Sequence, residues 1–289
     1  MKSLLSPINQ NKNMEFFIIL LILIPISILV GFAASSIGYT AWSLIVPLLL
    51  VLFGFDIRIV LFISLSMDCV NALIMTRISK RINEIDLIVS RKTSTIASLS
   101  TFIGVLIGLL ILLNYQGFFR GGVGYVNIVS GMIFIIKGIK MLKNPEQSKE
   151  EKGVITDPKK ADLVFLVGSI ASAFMTGLIG IGGGMNYVIL LMICKGFHIK
   201  KAEGTAMFIT TGTTATAALV FFINSTIAQL FSTEIIILML LCVSISAIVT
   251  IVGAKVAEKL SEAKITILVG SIVVFAATLA TTQNVLLNN

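Results

Sequence analysis

Apolar runs long enough to cross a bilayer follow one another along almost the whole chain, and no other feature restricts the fold as tightly. They lie near 15–36, 57–76, 93–113, 122–142, 162–181, 202–223, 233–256 and 265–284. Each is close to the roughly 20 residues that a helix needs to span the hydrocarbon core. Two further apolar segments, 40–54 and 185–196, are too short to cross upright, and each follows small residues that interrupt a helix. Lipid offers no partner to an open backbone, so the expected fold is an all-α integral membrane protein with short or broken helices.

The surface chemistry agrees. Only 12% of the 289 residues are charged, about half of the roughly 25% found in soluble domains. The formal charge of +8 sits in short loops between the apolar runs, as the positive-inside rule produces, and argues against a nucleic-acid partner. Cys69, Cys194 and Cys242 each lie within an apolar run and read as small hydrophobes. With His198 the only histidine, neither a metal site nor a cofactor is expected. Met14–Ile37 exceeds the usual apolar core of a signal peptide, about 7–15 residues, and reads as the first retained span.

If both short segments count as crossings, the chain crosses ten times with both termini outside. Eighteen of the 22 basic residues then fall in cytoplasmic loops, leaving Lys2, Lys12, Arg58 and Arg120 outside. If they do not count, eight crossings remain and the charge split is weaker. The ten-crossing arrangement, a multi-pass protein of the cell membrane, is preferred.

Sliding the chain against itself by 142 positions aligns two stretches without gaps. Ile37-Gly38 falls on Ile179-Gly180, Val46, Leu48 and Leu49 on Val188, Leu190 and Leu191, Gly54-Phe55 on Gly196-Phe197, and Ile57 on Ile199. A unit of five segments begins its second copy on the opposite side, which predicts two inverted-topology repeats, an architecture common among secondary transporters. The expected organisation is a first repeat over 1–142, a polar cytoplasmic linker over 143–161, and a second repeat over 162–289.

The sharpest local feature is the run from Gly177 to Gly184, with glycine at 177, 180, 182, 183 and 184. A helix does not run comfortably through three consecutive glycines, and unwound backbone is tolerated at membrane depth only inside protein or beside a wet cavity. Such a break presents N–H groups at the start of 185–196, including Asn186, where the helix dipole favours an anion. Close helix packing through Gly180-xxx-Gly184 is the competing reading. The first repeat carries Ser35-Ser36-Ile37-Gly38-Tyr39-Thr40-Ala41-Trp42, with hydroxyls and aromatics where the second has glycines.

The next segments are unusually polar. Ser64, Asp68 and Asn71 share one helix face, and their counterparts 142 positions on are Ala206, Thr210 and Thr213. Each threonine by itself also fits back-bonding to its own helix. Asp68 is a carboxyl group deep in an apolar run. Charge there costs several kcal/mol, so Asp68 is either a proton-coupling candidate or a neutral acid bonded to Asn71 or a backbone carbonyl. Glu203 reads as a helix-dipole residue. No Walker A sequence and no H-E-x-x-H motif is present, which leaves no enzyme chemistry on display.

The glycine run with its short helix, followed by Ala202-Glu203-Gly204-Thr205, resembles the sulfite exporter TauE/SafE family, also called the 4-toluene sulfonate uptake permease family. The resemblance spans nearly the whole chain. The first half departs from it, keeping only Gly38 and Pro47 where members usually carry a second glycine-rich run followed by proline. The resemblance implies transport of sulfite, organosulfonates or related oxyanions driven by an ion gradient, with Gly182, Gly183, Gly184, Thr205 and Gly38 contributing. The residue pattern adds Ser35, Thr40, Asn71, Asn186, Thr210 and Thr213 as substrate donors and Asp68 as the coupling group. The expected protein is therefore a secondary active transporter of a small sulfur-containing anion, working by alternating access. Its partners are that solute, the lipid bilayer and a coupling proton or cation, and a homo-oligomer is compatible. An anion channel or a carrier of a small carboxylate is the alternative.

Overall fold

In the computed structural model, residues 11–37, 41–114 and 157–257 are described throughout, with scattered positions between 128 and 143 and between 263 and 282. Gly38 and Thr40, most of the linker, and much of the runs 122–142 and 265–284 lie outside the described residues. The described elements are helical: α1 (Asn11–Ile37), α2 (Trp42–Pro47) continuing as a π-turn over Leu48–Leu52, α3 (Ile57–Arg81), α4 (Leu87–Asn114), α5 (Pro158–Ile179), α6 (Gly184–Lys195), α7 (Ile199–Ile227) and α8 (Thr233–Ala257). Among them α3, α4, α5, α7 and α8 are long and apolar enough to cross a membrane. Both short segments are short helices, as expected.

The helices outrun their apolar stretches. α3 continues through Arg77, Lys80 and Arg81, and α5 and α7 begin with Lys159-Lys160 and Lys200-Lys201. Apolarity marks only the lipid-facing part of a helix, whereas backbone bonding carries on into the wet interface. Asp56 and Asp157 close the starts of α3 and α5, each accepting the N–H of the residue two positions on, at 2.9 and 3.0 Å.

α3 lies at the centre, buried at Ile57, from Ile59 through Leu65, and again at Met67, Asp68, Asn71, Ala72 and Met75. Its main neighbour is α7, and α1–α8 and α4–α5 are the other extensive pairs. α4, α5 and α8 turn large aliphatics outward, among them Leu99, Leu110, Leu163, Val167, Leu240 and Ile248. That display suits lipid and no aqueous surface.

Lipid tails are as apolar as leucine, so the pairs are held by close backbone approach and hydrogen bonds between helices. Where α4 meets α5, Gly177 sits against the carbonyl of Thr101, and a Cβ on Gly108 would stand 2.5 Å from the Leu178 carbonyl oxygen. Thr101 donates to the Ala173 carbonyl (3.0 Å) and Ser100 to that of Ile170 (2.9 Å). Where α1 meets α8, Gly31 sits against the Ser246 carbonyl and Thr250 donates to the Gly31 carbonyl at 3.1 Å. The two accepting carbonyls, Gly31 and Ala173, are 142 positions apart.

That spacing recurs at the ends of the two short helices. Gly54 and Gly196 both take left-handed backbone, with φ of 67° and 63°. The following residue returns its N–H six positions back in each case: Phe55 to Leu49 at 2.9 Å and Phe197 to Leu191 at 3.4 Å. A left-handed glycine just beyond the helix end lets the chain fold back in this way. At the α3–α7 crossing, Cys69 Sγ lies 4.0 Å from the Thr211 carbonyl, again 142 positions away.

One end of the bundle gathers the charged loops. Lys195 pairs with Asp162 at 2.6 Å, so α6 returns the chain to the level where α5 began. His198 meets Glu84 at 2.8 Å and Lys201 meets Asp86 at 3.6 Å, which brings the α3–α4 loop to the same end.

Candidate functional site

The glycine run is a true interruption. α5 stops at Ile179, Gly180 turns left-handed with φ of 77° and returns its N–H to the Thr176 carbonyl at 2.9 Å, and residues 180–183 are not helical. A side chain at Gly180 would have no space either, since its Cβ would meet Leu61 at 2.5 Å and Trp42 at 3.4 Å. Thr176 Oγ1 lies 3.0 Å from the Ser172 carbonyl and 2.7 Å from that of Ile181, sharing its proton across the turn. The packing reading through Gly180-xxx-Gly184 does not describe this region. The glycine at the helix–helix contact is Gly177, one turn earlier.

α6 opens at Gly184, and its first bond runs from the Tyr187 N–H to the Gly183 carbonyl at 3.0 Å. The N–H groups of Gly184, Met185 and Asn186 precede that bond, and no side chain caps them. The break is deep. α6 is 12 residues long, about 18 Å, and ends at the Lys195–Asp162 pair, so its start lies well inside a core about 30 Å thick.

Hydroxyl and amide groups collect beside this start. The Tyr187 side chain is fully buried, and its ring leaves a Cβ at Gly183 only 2.5 Å from Cε2 and 3.0 Å from Ser172 Oγ. Its hydroxyl comes near Ser172 and Thr213 but makes no well-formed hydrogen bond to either. The exposed Asn186 donates to Ser172 Oγ at 3.2 Å. Ser169, Ser172 and Thr176 are buried on one face of α5 at spacings of three and four residues.

The start of α2 touches the end of α5. Trp42, at the start of α2, donates its indole N–H to the Ile179 carbonyl at 2.7 Å. Asp68 reaches the same region from α3: one carboxyl oxygen accepts the Ala41 N–H at 2.6 Å. The other oxygen has no partner among the described residues. Asp68 therefore meets neither of the partners expected from the sequence, Asn71 or a backbone carbonyl, because the start of α2 supplies an N–H first.

Several expected donors are engaged elsewhere. Asn71 donates to Ser246 (2.7 Å) and accepts from Thr250 (3.0 Å), joining α3 to α8 in a buried polar knot. Thr205 accepts the Asp86 N–H at 3.0 Å, and Gly204 beside it lets the Glu84 carbonyl approach. The Ala-Glu-Gly-Thr sequence thus clasps the α3–α4 loop at the charged end of the bundle. Ser35 back-bonds to the Phe32 carbonyl (2.8 Å) against Gly253. Thr211, Thr213, Thr214 and Thr216 back-bond within α7, whereas the buried Thr210 hydroxyl has no partner among the described residues. The sequence analysis named Trp42 in the first-half counterpart of the glycine run without giving it a role, and it missed Tyr187 and Ser172. The 169–172–176 hydroxyl stripe was the available signal for Ser172.

A model of the sulfite exporter TauE/SafE family matches residues 23–279. The chain belongs to that family. Comparison with curated proteins and with solved structures returned no match. Membership in the TauE/SafE family implies a multi-pass membrane transporter of sulfite or related anions. Among the described residues no group of three or more His, Cys, Asp or Glu could hold a metal ion. The glycine break of this TauE/SafE protein thus offers backbone N–H groups, hydroxyls and an amide at membrane depth, donors suited to an oxyanion.

Proposed function

We propose that this TauE/SafE protein is a secondary active transporter of a small sulfur-containing anion such as sulfite or an organosulfonate, and that the anion binds at the start of α6. The observation that carries the reading is the uncapped opening of α6 at membrane depth, flanked by Tyr187, Ser172 and Asn186. Donors fixed at a helix start replace part of the anion's hydration shell without reorganising. Gly182, Gly183 and Gly184 keep side chains away from the approaching ligand. Two inverted repeats rocking about the α3–α7 crossing would expose that seat to each side in turn. The left-handed glycines at 54 and 196 and the Cys69–Thr211 contact support the repeats. The clustering of Lys195, Lys201 and the α3–α4 loop supports ten crossings of the cell membrane with both termini outside.

Asp68 is the coupling group in this reading. It joins the start of α2 to α3 through Ala41, and gaining or losing a proton there would loosen or tighten that joint. The decisive experiment reconstitutes the protein in liposomes and follows labelled sulfite and methanesulfonate. Gly183→Leu should abolish uptake, because its side chain would displace Tyr187 and Ser172. A folded, monodisperse Gly183→Leu protein with full uptake would remove the basis for this seat. Trans-stimulated counterflow should be present in the unmodified protein, and a simple pore would show none.

A further inference from the structure

Between Arg58 and Arg77, Lys92 and Asn114, Asp162 and Lys195, Glu203 and Ile227, and Glu234 and Lys255, the only Asp, Glu, Lys or Arg is Asp68. The seat proposed above therefore has no cation from the described helices at its depth, only dipoles, and the nearest fixed charge type is acidic. The start of one helix supplies roughly half an elementary charge. The cost of drawing an ion out of water grows with the square of its charge, so a dianion pays about fourfold more than a monoanion against the same donors.

The chain also holds a pattern of what such a seat accommodates. In the first half, the carboxyl group of Asp68 accepts the N–H of Ala41 at the opening of α2. Adding 142 to each position maps Ala41 onto Gly183, at the opening of α6, and Asp68 onto Thr210. Threonine is shorter than the acid and neutral; Thr210 is 2% exposed, and its buried hydroxyl is without a hydrogen bond among the described residues. Tyr187, fully buried against Gly183, holds a second hydroxyl without a well-formed bond.

We propose that the α6 seat selects singly charged oxyanions, hydrogensulfite or an organosulfonate, over dianions, and that its ligand takes the place relative to α6 that the Asp68 carboxyl group takes relative to α2. Thr210 is then a specificity-determining residue: its lack of charge leaves the place to the transported ion. The inference rests on the transport reading above.

The test uses the full chain, purified and reconstituted. Binding of methanesulfonate, a monoanion at all working pH values, is compared with binding of sulfate and thiosulfate, both dianions. Sulfite is titrated across neutrality, where hydrogensulfite gives way to the dianion. Methanesulfonate affinity should stay level across that range while sulfite affinity falls with the hydrogensulfite fraction. Sulfate and thiosulfate should bind at least about a hundredfold more weakly. Thr210→Asp should lower methanesulfonate affinity by a factor on the order of a hundred, through like charge, while Thr210→Asn, which matches the aspartate variant in shape but carries no charge, stays within about tenfold of the unmodified protein. Equal binding of sulfate and methanesulfonate overturns the proposal, as does equal loss in Thr210→Asp and Thr210→Asn. If the unmodified protein binds no anion at all, it is the transport reading that fails.

Discussion

Tyr187→Phe separates a residue kept for a ligand from one kept for the fold. The Tyr187 side chain is fully buried and its hydroxyl lacks a well-formed partner. Burying a hydroxyl without a good hydrogen bond costs about 1–3 kcal/mol by protein mutational measures. The neighbouring Ser172 and Thr213 recover part of that cost, so removing the oxygen should stabilise the ligand-free protein by about 1 kcal/mol. Phenylalanine keeps the ring against Gly183, so the break itself should persist. An anion at the start of α6 would lose one hydrogen bond to a charged acceptor, worth about 1.5–3 kcal/mol. The affinity should therefore drop by roughly 10- to 100-fold. Unfolding of the detergent-solubilised protein, with and without methanesulfonate, reads both quantities on one sample. The expected result is a higher midpoint without ligand and a smaller ligand-induced rise. A variant less stable than the parent without ligand would show that the hydroxyl is bonded in the fold. A more stable variant with undiminished affinity would remove Tyr187 from the seat.

Three further outcomes follow from the packing and the clasps. Gly177→Ala drives a Cβ into the Thr101 carbonyl and the Val105 nitrogen, and should destabilise by at least about 1–3 kcal/mol in thermal unfolding, because neither backbone can retreat without separating α4 from α5. Thr205→Val removes the acceptor of the Asp86 N–H and should cost about 1–2 kcal/mol of stability while leaving methanesulfonate affinity unchanged; a selective loss of affinity would return Thr205 to the binding site. Asp68→Asn keeps an oxygen for the Ala41 N–H but carries no exchangeable charge, so uptake should persist without its dependence on a pH gradient. Asp68→Ala should lose both, and unchanged gradient dependence in Asp68→Asn would rule out the coupling role.

Much of the fold was legible because lipid imposes simple conditions. A chain that must bond its own backbone and face hydrocarbon shows its helices as apolar runs, and α3, α4, α5, α7 and α8 fall where those runs lie. The glycine break before α6 was equally legible, since consecutive glycines weaken a helix whatever surrounds it. The site was less so. Ser64, Asp68 and Asn71 share a helix face in any structure, yet Asn71 is engaged by Ser246 and Thr250, and Asp68 by Ala41. Those partners lie far off in sequence.

The sequence alone determined that this chain lives in a bilayer, where its helices run, which loops carry positive charge, and that the run from Gly177 to Gly184 is where a helix is weakest. These follow from transfer energies and local backbone freedom, properties of short stretches. Only the tertiary structure decided which glycine serves which end: Gly177 for helix contact, Gly180 for a left-handed turn, Gly204 for a loop clasp. It alone brought Trp42 to Ile179 and Tyr187 to Ser172. A glycine's role depends on what stands opposite it, and what stands opposite is fixed by helices meeting across the bundle.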